Sequence, residues 1–180
     1  MLFTLEYTAL DDPEYRHQVI RSLDRRCSAD RSFSVQADFP DTWYDLNNPD
    51  TVEDPARRMR AVLSLTREDF PPNIADLSLA QLTLFAVRAD LVTEELVVPA
   101  APHTVNGQTV DAGPVTTVGG IVGTRRAGGA PWQPFLGGDP TGTWELQFED
   151  TPQMRSLFQN GSIRDAVLVM TVAGTTAQWP

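Results

Sequence analysis

The amino-acid sequence predicts an all-β protein, an antiparallel and jelly-roll-like β-sandwich with one N-terminal helix and one short C-terminal helix. Three observations predict this fold class. Short stretches alternate between apolar and polar residues, glycine and asparagine turn signals separate them, and only two segments show helical spacing. The 180 residues suffice for a single core. We divide them into an N-terminal strand and helix, residues 1–32, leading into a sandwich domain, residues 33–180.

The N-terminal segment is predicted to contain a strand followed by a helix. Period-2 alternation of apolar residues predicts a short strand over Leu2–Thr8. Asp12 before Pro13 is typical of a helix start, because proline is favoured in the first helical turn. Apolar residues at helical spacing then predict a helix from about 13 to 24.

The next segment is predicted to pass through a strand into a connector. Arg25–Arg31 is polar and is predicted to be a link, whereas Phe33, Val35 and Ala37 alternate with polar residues and predict a strand. The strand leads into ADFPDTWYDLNNPD at Ala37–Asp50. Its Phe-Pro and Asn-Pro pairs are expected to end regular structure, since proline lacks a backbone donor and restricts the residue before it.

From Met59 onward the pattern is mainly that of β-strands. Three stretches, MRAVLSLT, LAQLTLFAVRA and LVTEELVVP, are predicted strands separated by proline-bearing or charged breaks. In the first stretch, Met59, Ala61, Leu63 and Leu65 share one face and are predicted to face the core. The glycine-rich segment His103–Gly142 is predicted to form long loops or a flexible hairpin.

The C-terminal segment has the clearest pattern. GTWELQFE at Gly142–Glu149 alternates large apolar residues with acidic or amide residues and predicts a strand. Thr151 before Pro152 predicts a short helix that ends at Asn160–Gly161. The apolar stretch IRDAVLVMTVAG predicts a strand that is buried on both faces.

The charge and hydropathy of the chain argue against several classes of function. A net charge of -10 and an isoelectric point near 4.5 oppose binding to nucleic acid or to an anionic membrane surface. No apolar run approaches the roughly 20 residues that cross a bilayer, so no membrane insertion is expected. The N-terminus also lacks the pattern of a Sec signal peptide.

No cofactor and no metal are predicted. The single cysteine, Cys27, has no intramolecular partner for a disulfide, and His17 and His103 lie far apart in the sequence with no Cys/His cluster, which argues against structural zinc. The acidic stretch Asp50–Asp54 and the neighbouring amide oxygens offer ligands for a structural calcium ion as an alternative. The stretch lacks EF-hand spacing, and acidic loops are usually just solvated.

Three segments together resemble a known group of proteins. They are FSVQADFPDTWYDLNNPD at Phe33–Asp50, GTWELQFE at Gly142–Glu149 and SIRDAVLVMTVAG at Ser162–Gly174. In sequence and order they resemble the C-terminal region of large bacterial proteins related to the A-component of Tc-type insecticidal toxin complexes. Some members of that group are labelled neuraminidase-like.

The resemblance implies a non-enzymatic β-sandwich module of a bacterial toxin-delivery subunit, and thus a role in virulence. Such a module contributes to assembly, and its partners are other subunits or domains of the complex, a host receptor or a glycan. It has no catalytic residues. The localisation stays open, with export as part of a larger toxin-like protein as the expectation.

The aromatic pair in the connector is the first candidate for ligand binding. A jelly-roll carbohydrate-binding module would stack a sugar on Trp43 or Tyr44 and hydrogen-bond its hydroxyls through Asp41, Asp45, Asn47 and Asn48. Alternatively, Trp43 anchors the connector in the core while the Asp and Asn side chains bond to nearby backbone, which is their common use in turns. In an extended segment the two rings point to opposite sides, so the ring that faces solvent decides between these readings.

Two arginines are the second candidate. Arg125 and Arg126 lie at a glycine-flanked tip, where they could contact an acidic partner or a carboxylate sugar, or could simply be solvated. Asp41 and Asp45 also offer the pair of carboxylates that glycoside hydrolysis requires, so a glycoside hydrolase-like enzyme is a further alternative. Two carboxylates among 24 acidic residues are weak support, and the protein is predicted not to be an enzyme.

Overall fold

The computed structural model describes residues 12–89, 91–126 and 128–177, so the predicted strand Leu2–Thr8 lies outside the described residues. The described part contains ten strands: β1 Arg26–Ser34, β2 Arg60–Leu65, β3 Ile74–Arg88, β4 Val97–Val98, β5 Ala101–Val105, β6 Gln108–Ala112, β7 Val115–Thr116, β8 Ile121–Gly123, β9 Gly142–Gln147 and β10 Ile163–Thr176. It also contains four α-helices: α1 Pro13–Ser22, α2 Val35–Asp38, α3 Pro40–Asn47 and α4 Pro152–Gln159. Short 3-10 helices cover Pro49–Thr51, Pro55–Arg57, Arg67–Asp69 and Ala130–Phe135.

The strands form two antiparallel four-stranded sheets around one core. Sheet A has the order β1-β10-β3-β8 and sheet B the order β2-β9-β5-β6, while β4 and β7 form a separate ribbon. Numbered in chain order, the eight sandwich strands read 1-8-3-6 in sheet A and 2-7-4-5 in sheet B, which is the strand order of a jelly roll. The predicted fold class is confirmed, including the N-terminal helix α1 and the short C-terminal helix α4.

Alternation along the strands builds the core, as the sequence predicts. Met59, Ala61, Leu63 and Leu65 are all buried, which confirms the predicted core face of β2. Trp144 on β9 is buried in the same way, opposite Leu63 in the register of the two strands. Apolar side chains from both sheets thus fill one interior.

The two predicted helices begin at the predicted caps. The Asp12 carboxylate accepts hydrogen bonds from the backbone N–H groups of Glu14 and Tyr15, at 3.0 and 3.2 Å. Helix α1 ends at Ser22, and none of its residues is buried. At the start of α4, the Thr151 hydroxyl accepts from the backbone N–H of Met154 at 3.2 Å. In the part of the chain that the structure describes, no helix is both long and apolar enough to cross a membrane.

The segment after α1 differs from the sequence prediction. Arg25–Arg31 was expected to be a link and Phe33–Ala37 a strand, but β1 already begins at Arg26 and α2 begins at Val35. The helical start has a local cap and a distant one. The Ser34 hydroxyl oxygen accepts from the backbone N–H of Ala37 at 2.9 Å, and a second cap comes from far along the chain. Asp165 on β10 accepts hydrogen bonds from the Ser34 hydroxyl at 2.6 Å and from the Gln36 backbone N–H at 3.0 Å. The helical start is therefore stabilised by a residue that local alternation does not reveal.

The connector prediction is also corrected. Residues 40–47 of ADFPDTWYDLNNPD form helix α3 rather than an extended segment, and a 3-10 turn follows at Pro49–Thr51. Pro40 occupies the first turn of α3, where its missing N–H costs nothing. The prolines therefore start helical segments here as well as ending others.

The predicted strand LVTEELVVP is reduced to the two-residue strand β4, Val97–Val98. The carboxylate of Glu95 contacts the loop that follows β7. It accepts a hydrogen bond from the Thr117 hydroxyl. It also accepts from the backbone N–H groups of Gly119 and Gly120, at 2.8 and 3.0 Å. This contact fixes the segment without strand pairing. The short ribbon with β7 is what remains of the predicted strand.

Two further expectations are refined. The glycine-rich segment does contain a hairpin, β5–β6, whose Asn106–Gly107 turn has positive φ at both residues, 50° and 77°. Strand β10 is buried on one face only. Leu168 is fully buried toward the core, whereas Val167 and Val169 are half-buried on the outer face of sheet A.

Candidate functional site

The aromatic pair of α3 divides between the core and the solvent. Trp43 is half-buried and packs edge-on against Phe158 of α4, with ring centroids 5.8 Å apart. Tyr44 is 58% exposed. The tryptophan therefore anchors α3 to α4, and only the tyrosine is available to a ligand.

The polar residues beside this pair have local roles. The side-chain amides of Asn47 and Asn48 donate to the carbonyl oxygens of Trp43 and Tyr44, at 2.8 and 2.9 Å, and so bond to the last turn of α3. Asp45 is exposed. The structure thus does not gather the predicted residues of α3 into one aromatic platform with converging amides.

Asp45 instead lines a polar cleft on the outer face of sheet B. The cleft has a volume of about 320 Å³, and Thr42, Arg57, Arg60 and Glu145 also line it. Arg60 and Glu145 neutralise each other through an ion pair of 2.6 Å between the Nη1 and Oε1 atoms. Much of the charge in this cleft is therefore already compensated.

Arg125 and Arg126 lie elsewhere, at the β8 edge of sheet A. They follow β8 in a tight turn in which Gly123 and Arg126 exchange two backbone hydrogen bonds, at 3.2 and 3.1 Å. The turn is held to β3 by Thr124, because its backbone N–H donates to the carbonyl of Leu82 at 2.9 Å and its hydroxyl accepts from the Leu82 N–H at 3.1 Å. Thr124 is buried, so a fixed turn presents the two arginines.

The two arginines border a groove of about 470 Å³ on the outer face of sheet A. Thr83 pairs with Gly123, and Phe85 pairs with Ile121, in the register of β3 and β8. The intervening pair, Leu84 and Val122, faces the core, so the two flanking pairs point to the outer face of the sheet. Of these, Phe85 and Ile121 are exposed, whereas Thr83 and Gly123 are buried. Side chains that line the groove are Gln81, Thr83, Phe85, Ile121, Arg125 and Arg126.

The floor of the groove is apolar in the middle and polar at one end. Phe85 is 37% exposed and Ile121 is 36% exposed, so both present apolar surface. Gln81 donates from its side-chain amide to the Thr83 hydroxyl at 3.3 Å. Gly123 keeps the groove open, because a Cβ at that position would lie 3.0 Å from Oγ1 of Thr83.

Two arginines give one end of this groove a positive charge. Among the described residues, the ion pairs involve Arg26, Arg60, Arg88 and Arg155, while Arg125 and Arg126 pair with no described carboxylate. Two uncompensated guanidinium groups on a chain of net charge -10 form a local positive site. The site suits a carboxylate or another planar anion, which arginine binds with two parallel hydrogen bonds.

Sequence reasoning found the arginines of the groove but missed its floor. The pattern of LAQLTLFAVRA predicts a strand, in which Gln81 and Thr83 alternate with the buried Leu82 and Leu84. That alternation already places Gln81, Thr83 and Phe85 on one outward face. What it does not reveal is that β8 pairs beside β3 and brings the arginine turn to the same face.

The remaining candidates are held in structural contacts. Asp50 forms an ion pair with Arg155, with 2.7 Å between Oδ1 and Nη1, and Asp54 accepts from the backbone N–H of Ala56 at 2.9 Å. Within the described ranges no three His, Cys, Asp or Glu side chains form a group suited to a metal ion. Asp41 and Asp45 are both exposed on α3, one helical turn apart.

Comparison with known proteins does not identify a family or a relative of this chain. No protein family and no curated protein matches this chain. The function of the groove is therefore argued from its geometry and charge.

Proposed function

We propose that the protein is a non-enzymatic binding or assembly module of a larger bacterial toxin-like protein, and that the groove on sheet A is its contact face for an acidic partner. One observation carries the proposal. An exposed floor of Phe85 and Ile121 lies beside Arg125 and Arg126, which pair with no described carboxylate. The resemblance of the chain to Tc-type A-component proteins suggests the larger context.

The two halves of the groove favour the same kind of partner. Covering Phe85 and Ile121 removes apolar surface from water, which stabilises a complex without specifying its orientation. The guanidinium groups of Arg125 and Arg126 add direction, since a carboxylate binds them in a defined plane. The net negative charge of the chain weakens binding of an acidic partner in general, and the groove is favoured because it combines two adjacent guanidinium groups with an exposed apolar floor.

The test is an NMR titration of the isotope-labelled chain with a synthetic peptide that carries one phenylalanine among glutamates. We expect shifts in the backbone amides of Gln81, Thr83, Ile121 and Gly123 that saturate with peptide and weaken as salt is added. The variant Arg125→Glu/Arg126→Glu is expected to lose the shifts.

A matched variant controls for net charge. Arg16→Glu/Arg21→Glu makes the same change in charge on α1, at two exposed positions that are distant in sequence from the groove on sheet A. It should leave the titration unchanged. Equal loss of binding in both double variants would mean that the net charge of the chain, rather than the groove, controls binding of the peptide.

The toxin-like context is tested separately, through the proteins encoded beside this chain. We expect a neighbouring subunit to co-purify with the wild-type chain and to be lost with Arg125→Glu/Arg126→Glu. A domain that is always encoded without a large toxin-like reading frame, and that retains no such subunit, would contradict the assembly role while leaving peptide binding intact.

A carbohydrate-binding module is the second candidate, favoured by the polar cleft on sheet B. Thr42, Asp45 and Arg57 line that cleft and offer hydrogen bonds to sugar hydroxyls. A glycan array with the wild type and Arg57→Ala tests it. Binding that Arg57→Ala abolishes and Arg125→Glu/Arg126→Glu preserves would support this candidate over the first.

A further inference from the structure

Strand β1 is the long exposed edge of sheet A. All nine of its residues, Arg26–Ser34, pair in continuous register with β10, without a bulge in this pairing. Its other side pairs with no described strand. The opposite edge of the sheet, β8, is only three residues long. A regular edge of this length that pairs with no described strand offers backbone groups to another strand.

The direction of the free backbone groups follows from three hydrogen bonds. The carbonyl of Arg25 accepts from the N–H of Thr176 at 2.9 Å, so the odd-numbered residues of β1 bond to β10. The N–H of Arg26 donates to the Asp24 carboxylate at 3.0 Å, and the N–H of Ser34 donates to the Asp38 carboxylate at 2.8 Å. Even-numbered residues therefore point their N–H groups away from the sheet.

Between these two capped ends lies a run of outward N–H groups. It consists of Ser28, Asp30 and Ser32, and the described part of the chain supplies no acceptor for them. Their side chains are exposed, as is that of Arg26. The edge thus has a defined beginning, a defined end and a fixed set of donors.

The charges on this edge are self-complementary. When two copies pair antiparallel with Ser28 opposite Ser28 of the second copy, Arg26 of each copy lies opposite Asp30 of the other. A pairing centred on Asp30 would instead oppose two carboxylates, and one centred on Ala29 would oppose each charge with a serine. Charge therefore selects the pairing centred on Ser28.

The other face of the edge tolerates this register. It brings Arg25 opposite Arg31 of the second copy, but each guanidinium group is held by its own chain. Nε of Arg25 donates to the carbonyl of Thr176 at 2.9 Å, and the guanidinium carbon of Arg31 lies 5.8 Å from the centre of the Phe33 ring. The exposed ion pair between Asp24 and Arg26 must rearrange, and exposed pairs of this kind are weak.

We propose that β1 is a self-association edge, through which two copies of this chain pair antiparallel about Ser28 and join their A sheets into one eight-stranded sheet. A two-fold axis through Ser28 leaves the outer faces of both A sheets on the same side. If the proposed function holds, two arginine grooves then face one partner surface, and their centres, over β3 and β8, lie six strand spacings or roughly 29 Å apart. The pairing itself does not depend on that function.

Charge reversal tests the pairing through the oligomeric state of the full chain, measured by sedimentation velocity over a concentration series. The wild type should shift toward a dimer as concentration rises. Arg26→Asp should abolish the dimer, because it opposes two carboxylates, and Arg26→Asp/Asp30→Arg should restore it. A wild type that stays monomeric, or a double variant that fails to restore the dimer, would overturn the proposal.

Cysteine cross-linking tests the register in a Cys27→Ser background. Directly opposed residues of a hydrogen-bonded antiparallel pair have Cα atoms about 5.5 Å apart, which suits a disulfide that spans roughly 4.4 to 6.8 Å. Ser28→Cys should therefore form a covalent dimer on oxidation. Ala29→Cys is the matched control and should cross-link poorly. Equal or better cross-linking through Ala29→Cys would refute the Ser28-centred register.

Discussion

His103 is the residue whose protonation the fold opposes most clearly. Its ring stacks on the indole of Trp144 with centroids 3.8 Å apart, and its Nε2 lies 2.6 Å from the carbonyl oxygen of Thr141. Burial lowers the pKa of His103, and the bond to Thr141 and the charge of Asp139 offset this only in part. The unfolded chain, with an ordinary histidine pKa of about 6.5, therefore takes up the proton first as the pH falls.

This difference predicts how stability depends on pH. The neutral His103 ring contributes to the free energy of unfolding, and this contribution is fully present above about pH 6.5 and is lost as the pH falls below it. We expect the urea midpoint of the wild type to drop between about pH 7 and about pH 5, and His103→Gln to flatten that drop. His17→Gln, at an exposed position of α1, should keep the wild-type slope. A slope that survives His103→Gln would assign the effect to another group.

Among the elements, helix α3 shows most directly what each aromatic residue does. Trp43 packs against Phe158, whereas Tyr44 is exposed. Trp43→Ala is therefore expected to lower the free energy of unfolding by about 2 kcal/mol, less than for a fully buried tryptophan. Tyr44→Ala should change it by no more than about 0.5 kcal/mol. Urea denaturation at neutral pH measures both values, and a larger effect of Tyr44→Ala would contradict this packing.

Elements whose structure is set by local alternation could be predicted from the sequence. Strands β2 and β9 have one apolar and one polar face, so period-2 spacing locates them and orients their side chains. The caps Asp12 and Thr151 act on N–H groups within three residues, so they mark α1 and α4 correctly.

Elements whose structure is set by distant contacts could not be predicted. The start of α2 has a local cap in Ser34 but depends in part on Asp165, which follows Ser34 by 131 residues in the chain. The segment before β4 is fixed by Glu95 and a loop that lies beyond β7. The candidate site also depends on contacts between residues that are distant in the sequence. A glycine-flanked tip pointed to Arg125 and Arg126, but the pairing of β8 with β3 brings Phe85 to them.

At the scale of the whole molecule, we expect cooperative unfolding to depend most on strand β10. This strand lies inside sheet A, pairs with β1 along one side and with β3 along the other, and directs Ala166, Leu168, Met170 and Val172 into the core with no exposed surface. Opening β10 therefore breaks two ladders and exposes the core, whereas opening α1 uncovers no buried side chain.

Hydrogen exchange measured by mass spectrometry checks this distribution of stability. Peptides that cover residues 166–172 should exchange only through global unfolding, so their protection should fall in parallel with the free energy of unfolding as urea is added. Peptides from α1 should exchange quickly and independently of urea, because none of the residues of that helix is buried in the described structure. Strand β1 should lie between these limits in dilute solution, since the described part of the chain supplies no acceptor for the N–H groups of Ser28, Asp30 and Ser32. Protection of β10 no greater than that of α1 would contradict a single core organised around this strand.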